Sequence, residues 1–169
     1  MKLTINMNVK WILISSAMTL TASCISVSLG NHPTKHAVGV SYKSPSSPFA
    51  AESRDDVDAA WKNPKNGNLI SFLSDCMDDT DPTLDSIVQG SLSGLSDLHF
   101  QSTQNPTMQG REARRVLASG KVDGVPTKID LIAFKRNRCI YILSYVGVEQ
   151  NFDQDHGQFD RFLAGFVAP

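Results

Sequence analysis

Two segments near the carboxyl end, residues 129–134 (IDLIAF) and 140–146 (IYILSYV), carry apolar residues on both phases of a two-residue alternation. A strand places successive side chains on opposite faces, so a strand that is apolar on both phases is stable only when both of its faces are covered. Two such strands side by side demand a layer on each side of the sheet. An open sheet with one solvated face is excluded, and helices are expected on both sides.

The surrounding residues support that reading. GREARRVLASGKVDG (110–124) runs into Asp123-Gly124, a strong hairpin dipeptide. VPTKIDLIAFK (125–135) returns, Arg136-Asn137 turns again, and CIYILSYVGV (139–148) completes an antiparallel meander. One cover is the final helix, NFDQDHGQFDRFLAGF. In it Phe152, Phe159, Phe162, Leu163 and Phe166 share a stripe while Asp153, Asp155, Asp160 and Arg161 stay polar.

The second cover is a helix over 82–95. Asp81 stands at its N-cap with Pro82 in the first turn, and Leu84, Ile87, Val88, Leu92 and Leu95 recur at helical spacing. Upstream, residues 38–42 read as a first strand ended by a Ser/Pro cluster. AAWKNPKNGNLISFLSDC reads as a hairpin turning over 63–68, with 69–73 as the returning strand. Residues 100–109 read as a connector. The expected fold is α/β in the α+β sense: a single α/β/α sandwich with a mainly antiparallel sheet and a helix on each face.

Residues 1–24, MKLTINMNVKWILISSAMTLTASC, have the character of an export leader. Lys2 and Lys10 are its positive region, and the uncharged run 11–20 is too short to span a bilayer as a mature helix. Leu20-Thr21-Ala22-Ser23-Cys24 resembles the lipobox of bacterial lipoproteins, with Thr21 where leucine is more frequent. The resemblance implies a signal peptide over 1–23, a lipidated Cys24 and a tether over 24–35. Several acyl chains on one residue give stable attachment, where a single chain does not. Ile25, in place of the aspartate that retains many such proteins at the inner membrane, implies the outer membrane, facing periplasm or cell surface.

Cys76 and Cys139 then remain, and an even remainder in an exported chain implies a disulfide. A pair of metal ligands is the alternative, but no CxxC or HxxxH spacing accompanies them, and no metal is expected.

From about Ala37 to Pro169 the order of elements is similar to a group of small bacterial lipoproteins with the α/β/α sandwich of PsbP and Mog1-like proteins. The likeness is carried by WKNPKNG, Gly110-Arg111-Glu112-Ala113, Asp123-Gly124-Val125 and the F-x-x-F-L-x-G-F helix. It implies one domain over 36–169, a Cys76–Cys139 bridge, and a binding or assembly role more often than an enzymatic one.

Motifs for chemistry are sparse. Asp75, Asp78, Asp79 and Asp81 cluster, but they lack the glycine and terminal glutamate of a calcium loop. Lys135, Arg136 and Arg138 form a basic hairpin tip that would suit an anion if joined by Arg111, Arg114, Arg115, Lys121 and Lys128 on one face. Gly90-Ser91-Leu92-Ser93-Gly94 has the wrong serine spacing for a nucleophile elbow, and no P-loop or dinucleotide motif is present, so no cofactor is expected.

Removing Lys2 and Lys10 with the leader leaves 14 basic against 17 acidic residues, a charge of −3, which argues against a nucleic-acid partner. The reading is a non-enzymatic lipoprotein that meets the membrane through Cys24 and binds an envelope protein. An envelope hydrolase using His99, His156 or the acidic cluster, or a carrier with a pocket between sheet and helix, is the alternative.

Overall fold

A computed structural model describes residues 34–76 and 81–169. The leader, Cys24, the tether as far as residue 33, and Asp78 and Asp79 lie outside the described residues.

The strands are β1 (Ala50–Glu52), β2 (Ala59–Lys62), β3 (Leu69–Cys76), β4 (Ser96–Gln104), β5 (Thr107–Met108), β6 (Arg111–Val122), β7 (Val125–Arg136) and β8 (Cys139–Val148). Helix α1 (Leu84–Ser91) joins β3 to β4, and α2 (His156–Gly165) follows a 3-10 turn at Glu149–Gln154. All the ladders are antiparallel, in the order β1-β2-β3-β8-β7-β6-β4, with β5 also on β6.

The two-phase apolar strands occupy the middle of this sheet, as their pattern demands. One phase, with Val116, Ala118, Ile129, Leu131, Ala133, Ile140 and Ile142, packs under Ile87, Val88 and Leu92 of the α1 region. The other, with Ile132, Phe134, Tyr141, Leu143 and Tyr145, packs under Phe159, Phe162 and Phe166. The sandwich with a helix on each face is therefore the observed architecture.

Several boundaries differ from expectation, each for a local reason. Residues 38–42 are not a strand. Gly39 takes a φ of +89°, and only Ser41 bridges to Val167, so the segment wraps the core with Ala37 and Val40 instead of joining the ladder.

Helix α1 is shorter than 82–95. Thr83 is its N-cap, its hydroxyl accepting from the Ser86 amide at 3.1 Å, while Asp81 instead accepts from Lys135 Nζ. The tight turn after β7 is Asn137-Arg138, both with positive φ, one residue later than Arg136-Asn137. That is the backbone of a two-residue hairpin turn.

The largest difference is β4. Part of the expected connector is a nine-residue edge strand, and apart from half-buried Leu98 every residue in it is exposed. Alternation reports burial of one face, and here neither face is buried, so Phe100-Gln101-Ser102-Thr103-Gln104 carries no periodic signal.

Candidate functional site

The sheet is wider than its helical cover. Beyond α2, the strands β7, β6 and β4 floor an open cleft of about 310 Å³ lined by Ser102, Gln104, Arg115, Leu117, Asp130, His156 and Asp160. Register explains the set. Ser102 lies opposite Leu117, Gln104 opposite Arg115, and Leu117 opposite Asp130, so these side chains share the α2 face.

Asp130 is the anchor of the cluster and is only 3% exposed. Arg115 grips it through two parallel bonds, Nε to Oδ1 at 2.9 Å and Nη2 to Oδ2 at 2.7 Å, and reaches Asp160 Oδ1 at 2.8 Å. The hydrogen bond to Asp130 pushes the Arg115 guanidinium further above its ordinary range against the opposing effect of burial, and Asp160 adds to it. His156 Nε2 sits 2.7 Å from Asp130 Oδ2. A carboxylate already gripped by arginine can only accept, so Nε2 is the protonated nitrogen. Nδ1 faces Asp160 at 4.0 Å. At that distance Nδ1 makes no hydrogen bond, so Asp130 alone fixes the ring.

Beside this cleft a second polar cluster holds the start of α2. Asn63, Asn66 and Asn68 each donate a side-chain amide to Asp155 Oδ2, at 2.7, 2.6 and 3.1 Å. Asn68 also donates to the Asn151 carbonyl, and Tyr145 Oη to the Phe152 carbonyl at 2.6 Å. Gly147 is required here, because a Cβ at that position would overlap Asn68 Oδ1. The hairpin read from WKNPKNGN is thus also a clamp on the carboxyl-terminal helix.

Burial tends to raise the Asp155 carboxyl, but the amides of Asn66, Asn63 and Asn68 outweigh it and hold the group below the ordinary 3.8. A lowered carboxyl contributes stability that is present above its unfolded value and lost as pH falls through the folded one. Asp155→Asn is therefore expected to cost about 1 kcal/mol at pH 7 and much less at a pH below the folded value, which itself lies under 3.8. Parallel chemical melts at the two pH values check this, and an equal loss at both would contradict it.

The expected site residues fall as follows. Cys76 and Cys139 are directly opposite on β3 and β8 and are joined by a disulfide. Lys135 is paired with Asp81 at 2.6 Å, and Arg136 donates to the Pro169 and Gln109 carbonyls. Arg138 stands in the turn between β7 and β8 with φ +64°.

Alternation along β6 puts Arg111, Arg115 and Lys121 on the α2 face, joined by Lys128 of β7, which lies over the Phe152 ring, while Arg114 points to the other side. Arg114 bonds Asp85 and Asn105 on the α1 side, Arg115 lies in the cleft, and Lys121 pairs with Asp97 at 2.9 Å. Asp75 is buried on β3. Among the described residues no group of three or more His, Cys, Asp or Glu side chains is arranged to hold a metal. His99 is exposed on β4, whereas His156 lies in the cleft. Sequence reasoning missed Asp130. Its signal is a carboxylate inside IDLIAF, which has to find a cation, and Arg115 on the preceding strand supplies it.

No family model matches the chain, and no curated protein matches it in sequence. Solved structures do share its fold. One is LpqN of Mycobacterium tuberculosis, described as involved in cell envelope biogenesis, with TM-score 0.60 and 11% identity over 82% of this chain and 87% of that one. Another is the cyanobacterial PsbP, CyanoP, of Synechocystis, with TM-score 0.52 and 9% identity over 83% and 99%. A Pseudomonas aeruginosa protein of unknown function, described as a putative regulator, gives 0.52 and 10% over 82% and 88%. At these identities the likeness is one of fold, and the chain has the antiparallel α/β/α sandwich found in PsbP-like proteins.

Proposed function

We propose that this protein is a lipid-anchored component of the bacterial cell envelope, held through Cys24 at the outer membrane, that binds or helps assemble another envelope polypeptide without catalysing a reaction. The observation that carries the binding role is β4, a nine-residue strand at the sheet edge, exposed on both faces beside an open cleft. Among the described residues its outer backbone donors and acceptors have no neighbouring strand, and such an edge accepts an extended polypeptide by adding it to the sheet. The register shifts at Ser96/His99 and Phe100/Ser102 bend the strand and restrict which partner can pair with it.

The role of LpqN in envelope biogenesis supports the same setting. The non-enzymatic reading is supported by His156. Its Nε2 is committed to Asp130, which Arg115 also grips, so the ring serves to tie α2 to β7. A carrier would favour an enclosed apolar cavity, and this cleft is open and lined mostly by polar and charged side chains.

The test is a photo-crosslinking residue placed in living cells at Gln101 on β4 and, in a separate strain, at Ala51 on the opposite edge strand β1. A discrete protein adduct from position 101 and none from 51 is the expected result. Adducts from neither position, or the same adducts from both, would contradict a β4 docking edge.

A further inference from the structure

Where the chain enters the domain bears on how the domain meets the membrane. The Lys35 carbonyl accepts from the Cys76 amide at 2.8 Å, which ties the incoming segment to the end of β3. Cys76 is opposite Cys139, the first residue of β8, so the entry point lies at the pole formed by the ends of β3 and β7 and the start of β8. The carboxyl end of the chain closes on the same pole. The Pro169 carbonyl accepts from Arg136 Nε at 2.9 Å and Asn137 Nδ2 at 2.8 Å, and Ser41 pairs with Val167.

This convergence leaves two large apolar side chains in solvent at one corner, Val38 at 90% exposure and Val167 at 52%. Cys24 stands ten residues before Thr34 in the sequence, so a fully extended tether reaches about 35 Å.

Resting on the reading that Cys24 is lipidated, we propose that this pole is the membrane-facing surface of the domain and that the occupant of its valine corner is the bilayer interface. The anchor enters the domain beside the two exposed valines, so collapse of the tether brings that corner to the lipid first. The charges nearby are of both signs. Lys135 is paired with Asp81, and Arg136 donates to the Pro169 and Gln109 carbonyls, so these cations are already engaged within the chain. A zwitterionic bilayer therefore suffices, and anionic lipid is not required.

The strands then stand on the membrane by their ends. Gln104, opposite Arg115, is the near end of β4, and Ser96, opposite Lys121, the far end. The docking edge is left pointing sideways along its whole length.

Val125, 46% exposed in the hairpin at the opposite pole, is the natural control. The twelve residues of β7 separate it from Arg136 by about 35 Å.

The experiment uses the lipidated chain purified from membranes and reconstituted with phosphatidylcholine vesicles whose acyl chains are brominated. Tryptophan replaces one valine at a time in Val38→Trp, Val167→Trp and Val125→Trp, and the signal of the unsubstituted chain is subtracted. Flotation with the vesicles is scored on the same samples. The proposal expects flotation of all three, loss of emission at positions 38 and 167 relative to unbrominated vesicles, and no loss at 125. Flotation with no quenching at 38 and 167, or with equal quenching at 125, overturns the orientation and leaves the anchor intact. Failure to float overturns the anchor reading and the orientation with it.

Discussion

A chain in which Cys76 and Cys139 are both alanine is expected to unfold about 15 °C below the oxidised parent, which corresponds to about 4 kcal/mol. The two cysteines are 63 positions apart in sequence, so the cross-link restricts a long loop in the unfolded chain. The loop it closes contains α1, β4, β6 and β7, including most of the sheet under α1. Replacing both cysteines avoids leaving an odd thiol. The checking measurement is thermal unfolding with and without a reductant that reaches the bridge. The parent should fall to the level of the double variant when reduced, and the variant should not respond. Identical melting of parent and variant under oxidising conditions would contradict a stabilising bridge.

The second large effect is expected at Phe162. Its ring is 1% exposed and lies within 6.4 Å, centre to centre, of Tyr42, Trp61, Phe72 and Phe166. Those partners come from the wrapping segment, β2, β3 and the residue after α2, so one side chain ties four pieces of chain together. Phe162→Ala removes the buried ring and leaves a cavity in a rigid aromatic cluster, at a cost of about 3–5 kcal/mol. Phe162→Leu keeps most of the volume and should cost about 1 kcal/mol. Denaturant melts of the two variants decide between packing and chance contact. Equal, small losses would show that the α2 face is not held by this cluster.

The effect on function follows from position. Phe162 stands two residues beyond Asp160 on the helix that walls the cleft, so loosening α2 should open the Arg115–Asp160 contact before the sheet itself unfolds.

The central part of the fold was legible because burial writes itself into periodicity. IDLIAF and IYILSYV are apolar on both phases, and both faces are covered. The Phe152, Phe159, Phe162 and Phe166 stripe is buried as a set. Asp123-Gly124 makes the β6–β7 turn, with positive φ at both residues.

What was not legible is what burial does not control. β4 has no covered face, so its residues give no alternation, and only its ladder with β6 shows it to be a strand. The segment around Gly39 reads as β-prone by composition, but its left-handed glycine and its contact with Pro169 turn it aside.

The cleft was illegible for a different reason. Arg115, Asp130 and His156 are far apart in sequence and are joined only by register and by the docking of α2. The three asparagines of WKNPKNGN read as turn formers, and their second role needs Asp155 from the other end of the domain. Cysteine arithmetic was local enough to work, since two cysteines leave one intramolecular pairing.

The envelope setting and the membrane-facing pole both depend on the fate of Cys24, and the most direct measurement is the intact mass of the mature chain from membranes, with sequencing of its amino-terminal peptide. The account predicts a chain that begins at Cys24 and carries a diacylglyceryl group on sulfur and an acyl group on nitrogen, with Cys24→Ala appearing as uncut precursor or in the soluble fraction. A chain that keeps its leader, or one cut elsewhere and free of lipid, would contradict it.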